Sequence, residues 1–145
     1  MTEPLHVAMI RAHARHQQAC REEFLKLDLS EGQPKILFHL LKHDGCLQKE
    51  LSAYCQVSPA TMTSLLQNML SKGLVYKEQV QVSGGKRGFL IYLTDLGRDR
   101  ARKVCNIMEK IEEESLEGFS ANEKNKFIEF LARMEQNLTN HSELY

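Results

Sequence analysis

The chain has 145 residues, 42% of them hydrophobic and 26% charged, with 19 basic side chains balancing 19 acidic ones. That mixture suits one globular domain, residues 1–145, long enough to bury roughly 70% of its unfolded surface without a metal or disulfide staple. No apolar run approaches a membrane span, and the start MTEPLHVAMIRAHARHQQACREE lacks the ordered regions of a signal peptide. Cys20, Cys46, Cys55 and Cys105 are widely spaced with no C-x2-C pair, against both a disulfide scaffold and a zinc ribbon. The expected setting is cytoplasmic, with reduced thiols and no membrane partner.

The charge is unevenly placed. Residues 42–98 carry seven bases against four acids, and residues 101–145 carry six against nine. A positive middle and an acidic end suit a protein with one polyanion-facing side.

Taken in chain order, residues 5–27 read as a helix. Met9, His13, His16, Cys20, Phe24 and Leu27 recur on one face, while Leu5, Ala8, Ala12 and Ala19 form a second apolar stripe. Two such faces predict burial on more than one side, the second against a partner subunit. Ser30 is placed to cap the next helix, with Gln33 as capping-box partner, Pro34 in the first turn, and Ile36, Leu37, Leu40 and Leu41 inward. Asp44-Gly45 ends it, and Cys46-Leu47 could add one rung to a small sheet. Residues 48–55 make a short helix with Leu51 and either Tyr54 or Cys55 inward, followed by a tight turn at Gln56-Val57.

Ser58-Pro59 is the strongest helix start in the chain, a hydroxyl cap followed by proline at the first helical position. That helix runs to Lys72 and stops at Gly73. Met62, Leu65, Leu66, Met69 and Leu70 face inward; Thr61, Ser64, Gln67, Asn68, Ser71 and Lys72 face out. Residues 74–82 and 89–93 have strand composition, and Ser83-Gly84-Gly85-Lys86-Arg87-Gly88 between them is a glycine-rich basic turn. Thr94 caps a helix to about residue 117 with Leu96, Val104, Ile107 and Ile111 as its stripe, its first turn weakened by Gly97. Ser120 and Glu123 form a capping box for a last helix carrying Phe127, Phe130 or Leu131, Met134 and Leu138, with NHSELY expected to fray.

The order short helix, turn, capped helix, basic hairpin is the layout of a winged helix-turn-helix. The fold class is therefore mainly α with a small β-hairpin wing (α+β). A helix of this kind fits the major groove of B-DNA. Asn and Gln can pair bidentately with adenine edges, while Ser and Thr are less selective. The DNA-binding candidates are Ser58, Thr61, Ser64, Gln67, Asn68, Lys72, Lys86 and Arg87: Thr61, Ser64, Gln67 and Asn68 for bases, Ser58 at the helix start, Lys72 for backbone, and Lys86 and Arg87 for backbone or the adjacent minor groove; Lys49 is a further candidate for a phosphate. A polar outward face is also the default of any surface helix, so a winged helix used for protein contacts, or another α+β fold, stays open at this point.

The stretches LSEGQPKILFHLLKHDGCLQKELSAYC, VSPATMTSLLQNMLSKGLVYKE and IYLTDLGRDRARKV resemble the core of the MarR family of bacterial transcriptional regulators. The resemblance implies a homodimer whose first and last helices (5–27 and 94–139) interdigitate, with 30–93 as the winged-helix core. It also implies that the helix after Ser58 reads a pseudo-palindromic operator on double-stranded DNA. Such dimers are most often repressors relieved by a small molecule or by oxidation, and need no cofactor. The chain departs from the family at Gly85, where an acidic residue usually orients a wing arginine; Leu90 stands where a further base is common.

Candidate effector or redox groups are His16, Cys20 and His39. A weaker alternative is a metal held by His13, His16, Cys20, His39 and His43, whose three- and four-residue spacings place pairs on helix faces. Cys20 could also be a small buried hydrophobe, and the histidines simply a helix face. Phosphate-loop, H-E-x-x-H and G-x-S-x-G motifs are absent from the sequence, which predicts no enzyme.

Overall fold

The structure is a computed structural model that describes residues 2–142. Its elements are α1 (Leu5–Leu25), α2 (Gln33–Lys42), β1 (Cys46–Leu47), α3 (Gln48–Cys55), α4 (Pro59–Ser71), β2 (Val75–Gln81), β3 (Arg87–Leu93), α5 (Asp95–Ser115) and α6 (Ala121–Ser142). The strands form one antiparallel sheet in the order β1-β3-β2. Cys46 and Leu47 pair with Ile91 and Leu90, so the two-residue rung exists. The hairpin is in register from Val75↔Leu93 to Gln81↔Arg87. The fold is therefore mainly helical with a β-hairpin wing.

The chain divides into two compact units, Met1–Ile111 and Glu112–Tyr145, with the division inside α5. In the first unit the core gathers one face from each element. Ile36, Leu37 and Leu40 of α2 meet Leu51 and Cys55 of α3, Met62, Leu66 and Met69 of α4, and Ile91 and Leu93 of β3. Phe24, Leu29, Cys46, Leu74, Val75, Ala101 and Val104 complete it. Cys55 takes the inward position and Tyr54 is exposed. In the second unit the capping box forms in full: Ser120 Oγ accepts the Glu123 N–H at 3.1 Å and Glu123 Oε1 accepts the Ser120 N–H at 2.9 Å.

Four local expectations change. Ser30 does not cap α2. Gly32, at φ +92°, is the N-cap residue, and the chain makes a turn from Ser30 to Gln33 before the helix begins. The α5 stripe keeps Val104, Ile107 and Ile111 and gains Gly97 and Ala101, but Leu96 is exposed. The cause is Gly97, which lies against the Leu74 backbone so closely that a Cβ would sit 1.8 Å from the Leu74 carbonyl oxygen. That approach sets the rotation of α5, so Gly97 has a packing role in the first turn. The first helix ends at Leu25, two residues short of expectation, as Asp28 takes a left-handed φ of 56° in the turn to α2. Finally, α6 continues through Ser142, so residues 140–142 are helical; residues 143–145 of the expected frayed end lie outside the described residues.

Candidate nucleic-acid interface

The helix α4 starts as its sequence dictates. Ser58 Oγ accepts the Thr61 N–H at 3.1 Å, satisfying one of the amides a helix start leaves open, and the Ser58 hydroxyl donates to Thr61 Oγ1 at 2.9 Å. Burial of Met62, Leu66 and Met69 turns the opposite face outward, leaving Thr61, Ser64, Gln67 and Asn68 exposed. Ser64 and Gln67, at the centre of that face, have no side-chain hydrogen bond among the described residues. Its two edges are pinned by neighbouring helices. Gln48 of α3 donates through Nε2 to Thr63 Oγ1 at 3.1 Å, and Gln33 of α2 donates through Nε2 to Asn68 Oδ1 at 2.6 Å. Sequence reading missed Thr63 and Gln48. The signal for Thr63 was there, since Ala60, Thr63 and Gln67 follow three- and four-residue steps; Gln48 carried none.

Lys72 is placed differently from the other basic candidates. Its ammonium donates to the Asp28 carbonyl at 2.7 Å and lies 3.4 Å from the Asp28 carboxylate, tying the end of α4 to the turn after α1. Lys86 and Arg87 at the wing tip are exposed and form no ion pair among the described residues. The tip closes through Val82 N–H donating to the Lys86 carbonyl at 2.8 Å, with Gly84 and Gly85 at φ +81° and +73°. Gly85 supplies no carboxylate, so Arg87 projects unpaired. Leu90 is half-buried in the sheet, and Lys77 lies over the Phe89 ring at 4.6 Å. At the foot of the wing, Asp44 accepts the Leu93 N–H at 2.8 Å through one oxygen and pairs with Arg98 at 2.8 Å through the other.

The sensing candidates fall into separate places. His16 Nδ1 lies 3.9 Å from Cys20 Sγ on α1, and burial pushes the Cys20 thiol above its usual range, opposite to what a peroxide-reactive thiolate needs. On α2 the His39 ring lies 4.8 Å from His43 and 4.2 Å from Tyr54, centroid to centroid. Among the described residues no three His, Cys, Asp or Glu side chains, the set His13, His16, Cys20, His39 and His43 included, come together to hold a metal ion. On α1 the reason is simple, since residues 13 and 20 are separated by about 10 Å of helical rise.

Burial, with repulsion from a protonated His43, holds His39 below the usual histidine range, partly opposed by Glu50. The fold therefore favours neutral His39. Its contribution is complete above the unfolded value near 6.5 and is lost as the pH falls from there through the depressed folded value. Urea titrations between pH 7.5 and 5 should show stability falling with acid in the wild type and falling less in His39→Gln. Parallel profiles for the two proteins would exclude His39 as the source.

A profile of the MarR family matches residues 27–87. The helix-turn-helix-type transcriptional regulator YdgJ of Bacillus subtilis (strain 168) is 30% identical over 112 residues, covering 77% of this chain and 67% of its own. Among solved structures, a MarR family transcriptional regulator from Silicibacter pomeroyi is 25% identical with a TM-score of 0.77, over 90% of this chain and 86% of that one. A mutant MarR from E. coli complexed with operator DNA is 22% identical with a TM-score of 0.76, over 90% of this chain and 93% of that one. With the capped outward helix and the basic hairpin in place, the chain belongs to the MarR family of winged helix-turn-helix transcriptional regulators, which are DNA-binding proteins and not enzymes.

Proposed function

We propose that this regulator is a homodimeric repressor that binds a pseudo-palindromic double-stranded operator and leaves it in response to a small molecule. The observation that carries the DNA reading is the pairing of an exposed polar face on α4 with a wing tip whose Lys86 and Arg87 have no ion-pair partner among the described residues. Ser64 and Gln67 are free to meet base edges, with Ser58, Thr61 and Asn68 beside them, while Lys86 and Arg87 meet backbone phosphates. Lys72 reaches a phosphate only by leaving Asp28. A MarR of similar fold solved in complex with operator DNA supports the DNA reading.

The dimer is supported by apolar side chains that the single chain leaves uncovered: Leu5, Met9 and Ile10 on α1, and Phe127, Ile128, Phe130, Leu131 and Leu138 on α6. In this reading 30–93 is the DNA-binding core of one MarR-like domain, and 5–27 with 94–139 make the subunit interface. The raised Cys20 thiol favours a small-molecule signal over oxidation. His16 and His39 are candidates to meet that molecule. The regulator would work in the cytoplasm, without a cofactor.

Mobility shifts on the DNA upstream of its own gene, at several salt concentrations, test this. Lys86→Ala with Arg87→Ala should weaken binding on every sequence. The log–log salt slope should flatten by about 0.9 for each phosphate no longer neutralised, roughly 3.6 when a dimer gives up four such charges. An unchanged slope removes the wing from the interface. Failure of the wild type to shift any duplex would point to a winged helix that binds protein.

A further inference from the structure

Gln33 is fully buried at 0% exposure, the buried polar side chain among the described residues. Groups of this kind persist where both ends are hydrogen-bonded. Its Oε1 accepts the Ser30 backbone N–H at 3.0 Å, and its Nε2 donates to Asn68 Oδ1 at 2.6 Å. The direction of this chain of bonds is set at its inner end. A backbone amide can only donate, so the Gln33 oxygen must face Ser30 and the Gln33 nitrogen must face α4. Asn68 must then turn its oxygen inward. The outer end of its carboxamide, Nδ2, has no partner among the described residues.

A free asparagine offers one acceptor and one donor, the pair that adenine N6 and N7 require. Here the oxygen is turned toward Gln33 and one of its two lone pairs is already engaged. Resting on the reading of α4 as the DNA-facing helix, we propose that Gln33 is a positioning residue that sets the hydrogen-bond polarity of the recognition surface. It turns the Nδ2 donor of Asn68 outward, to an acceptor on the operator, and disfavours the bidentate adenine pair by holding Oδ1 toward α2. The acceptor is either a base edge (guanine O6 or N7, thymine O4, adenine N7 alone) or a phosphate oxygen. Asn68 lies on the α2-side edge of the exposed face, within the set expected from the sequence to read adenine, so this revises its role.

The first arm of the test uses the free protein. Side-chain amide exchange by nitrogen-15 NMR should show the Gln33 NH2 strongly protected and the Asn68 NH2 exchanging near the free rate. In Gln33→Glu at pH 8 a carboxylate would accept from both Ser30 and Asn68, so the Asn68 amide should turn inward and become protected. The second arm is selection from a randomised double-stranded DNA library with wild type, Gln33→Glu and Asn68→Asp. The last of these keeps the inner bond and turns an acceptor outward, so it carries the test if Gln33→Glu does not fold.

A base contact predicts one position per half-site that changes, in the variants, from an acceptor-bearing edge to a donor-bearing one (cytosine N4 or adenine N6), by about 10-fold. A phosphate contact predicts an Asn68→Asp loss of about 10-fold or more that is equal on all sequences. A protected Asn68 amide in the wild type, or an Asn68→Asp protein with unchanged preference and affinity, overturns the proposal. A wild type that selects no sequence overturns it through the DNA reading, and the exchange pattern then shows separately whether Gln33 orients Asn68.

Discussion

Gly97→Ala is expected to lower the stability of the fold by about 3 kcal/mol or more, although the same change in an open helix interior raises stability by about 1 kcal/mol. The sign is decided by backbone contact. The added Cβ would meet the Leu74 carbonyl oxygen at 1.8 Å and its carbon at 2.8 Å, and neither is a flexible side-chain end that can step aside. The helix cannot retreat cheaply either. The same Leu74 oxygen accepts the Thr94 N–H at 3.1 Å, Thr94 Oγ1 accepts the Gly97 N–H at 3.0 Å, and the Thr94 hydroxyl donates to the Gly73 carbonyl. Relieving the clash breaks the joint where the end of α4, the start of β2 and α5 converge. Urea denaturation followed by circular dichroism measures the loss, and a midpoint equal to or above the wild type would show that α5 does not rest on Leu74.

The double variant Phe127→Asp with Leu131→Asp is expected to sediment as a monomer at tens of micromolar, and the wild type as a dimer. The two positions lie one helical turn apart on α6, a helix in which no residue is buried and Phe127, Ile128, Phe130, Leu131 and Leu138 are all exposed. Two carboxylates placed there would have to be desolvated in any interface that covers this surface. Operator affinity should fall by about 100-fold or more, because two half-sites bound by linked subunits gain from effective concentration and separate subunits do not. Sedimentation of the variant as a dimer, or of the wild type as a monomer, would remove α6 from subunit contact.

The parts of this molecule that are legible in its sequence are those whose cause is local. Ser58-Pro59 and Gly73 bound α4 because a hydroxyl cap, a proline and a glycine act within one turn of themselves. The paired strand compositions around the glycine-rich tip mark the hairpin for the same reason. Contacts between distant positions are not legible. Gln33 reads locally as a capping partner, and its bond to Asn68 spans 35 residues. Lys72 reads as a free base at a helix end, and Asp28, 44 residues earlier, holds it. Gly97 reads as a propensity penalty until Leu74 is seen against it, and the same contact explains why Leu96 faces out. For α1 and α6 the periodicity marks apolar faces, but beyond the core contacts of Phe24, Cys20 and Leu27 it does not show what covers Leu5, Met9 and Ile10 or the exposed side chains of α6.

The short rung β1 reaches only part of the way along the hairpin. Leu90 and Ile91 have a neighbour on both edges, whereas Arg87, Gly88 and Phe89 pair with β2 alone. Shearing the inner rungs must disrupt two ladders at once, while the outer three can twist at the expense of one. The wing thus behaves as a cantilever, clamped at the root by Cys46 and Leu47 and compliant toward its end. If the wing meets DNA as proposed, Lys86 and Arg87 would follow the local width of a groove while the root stays fixed beside α4, so one mount would tolerate operators of differing shape.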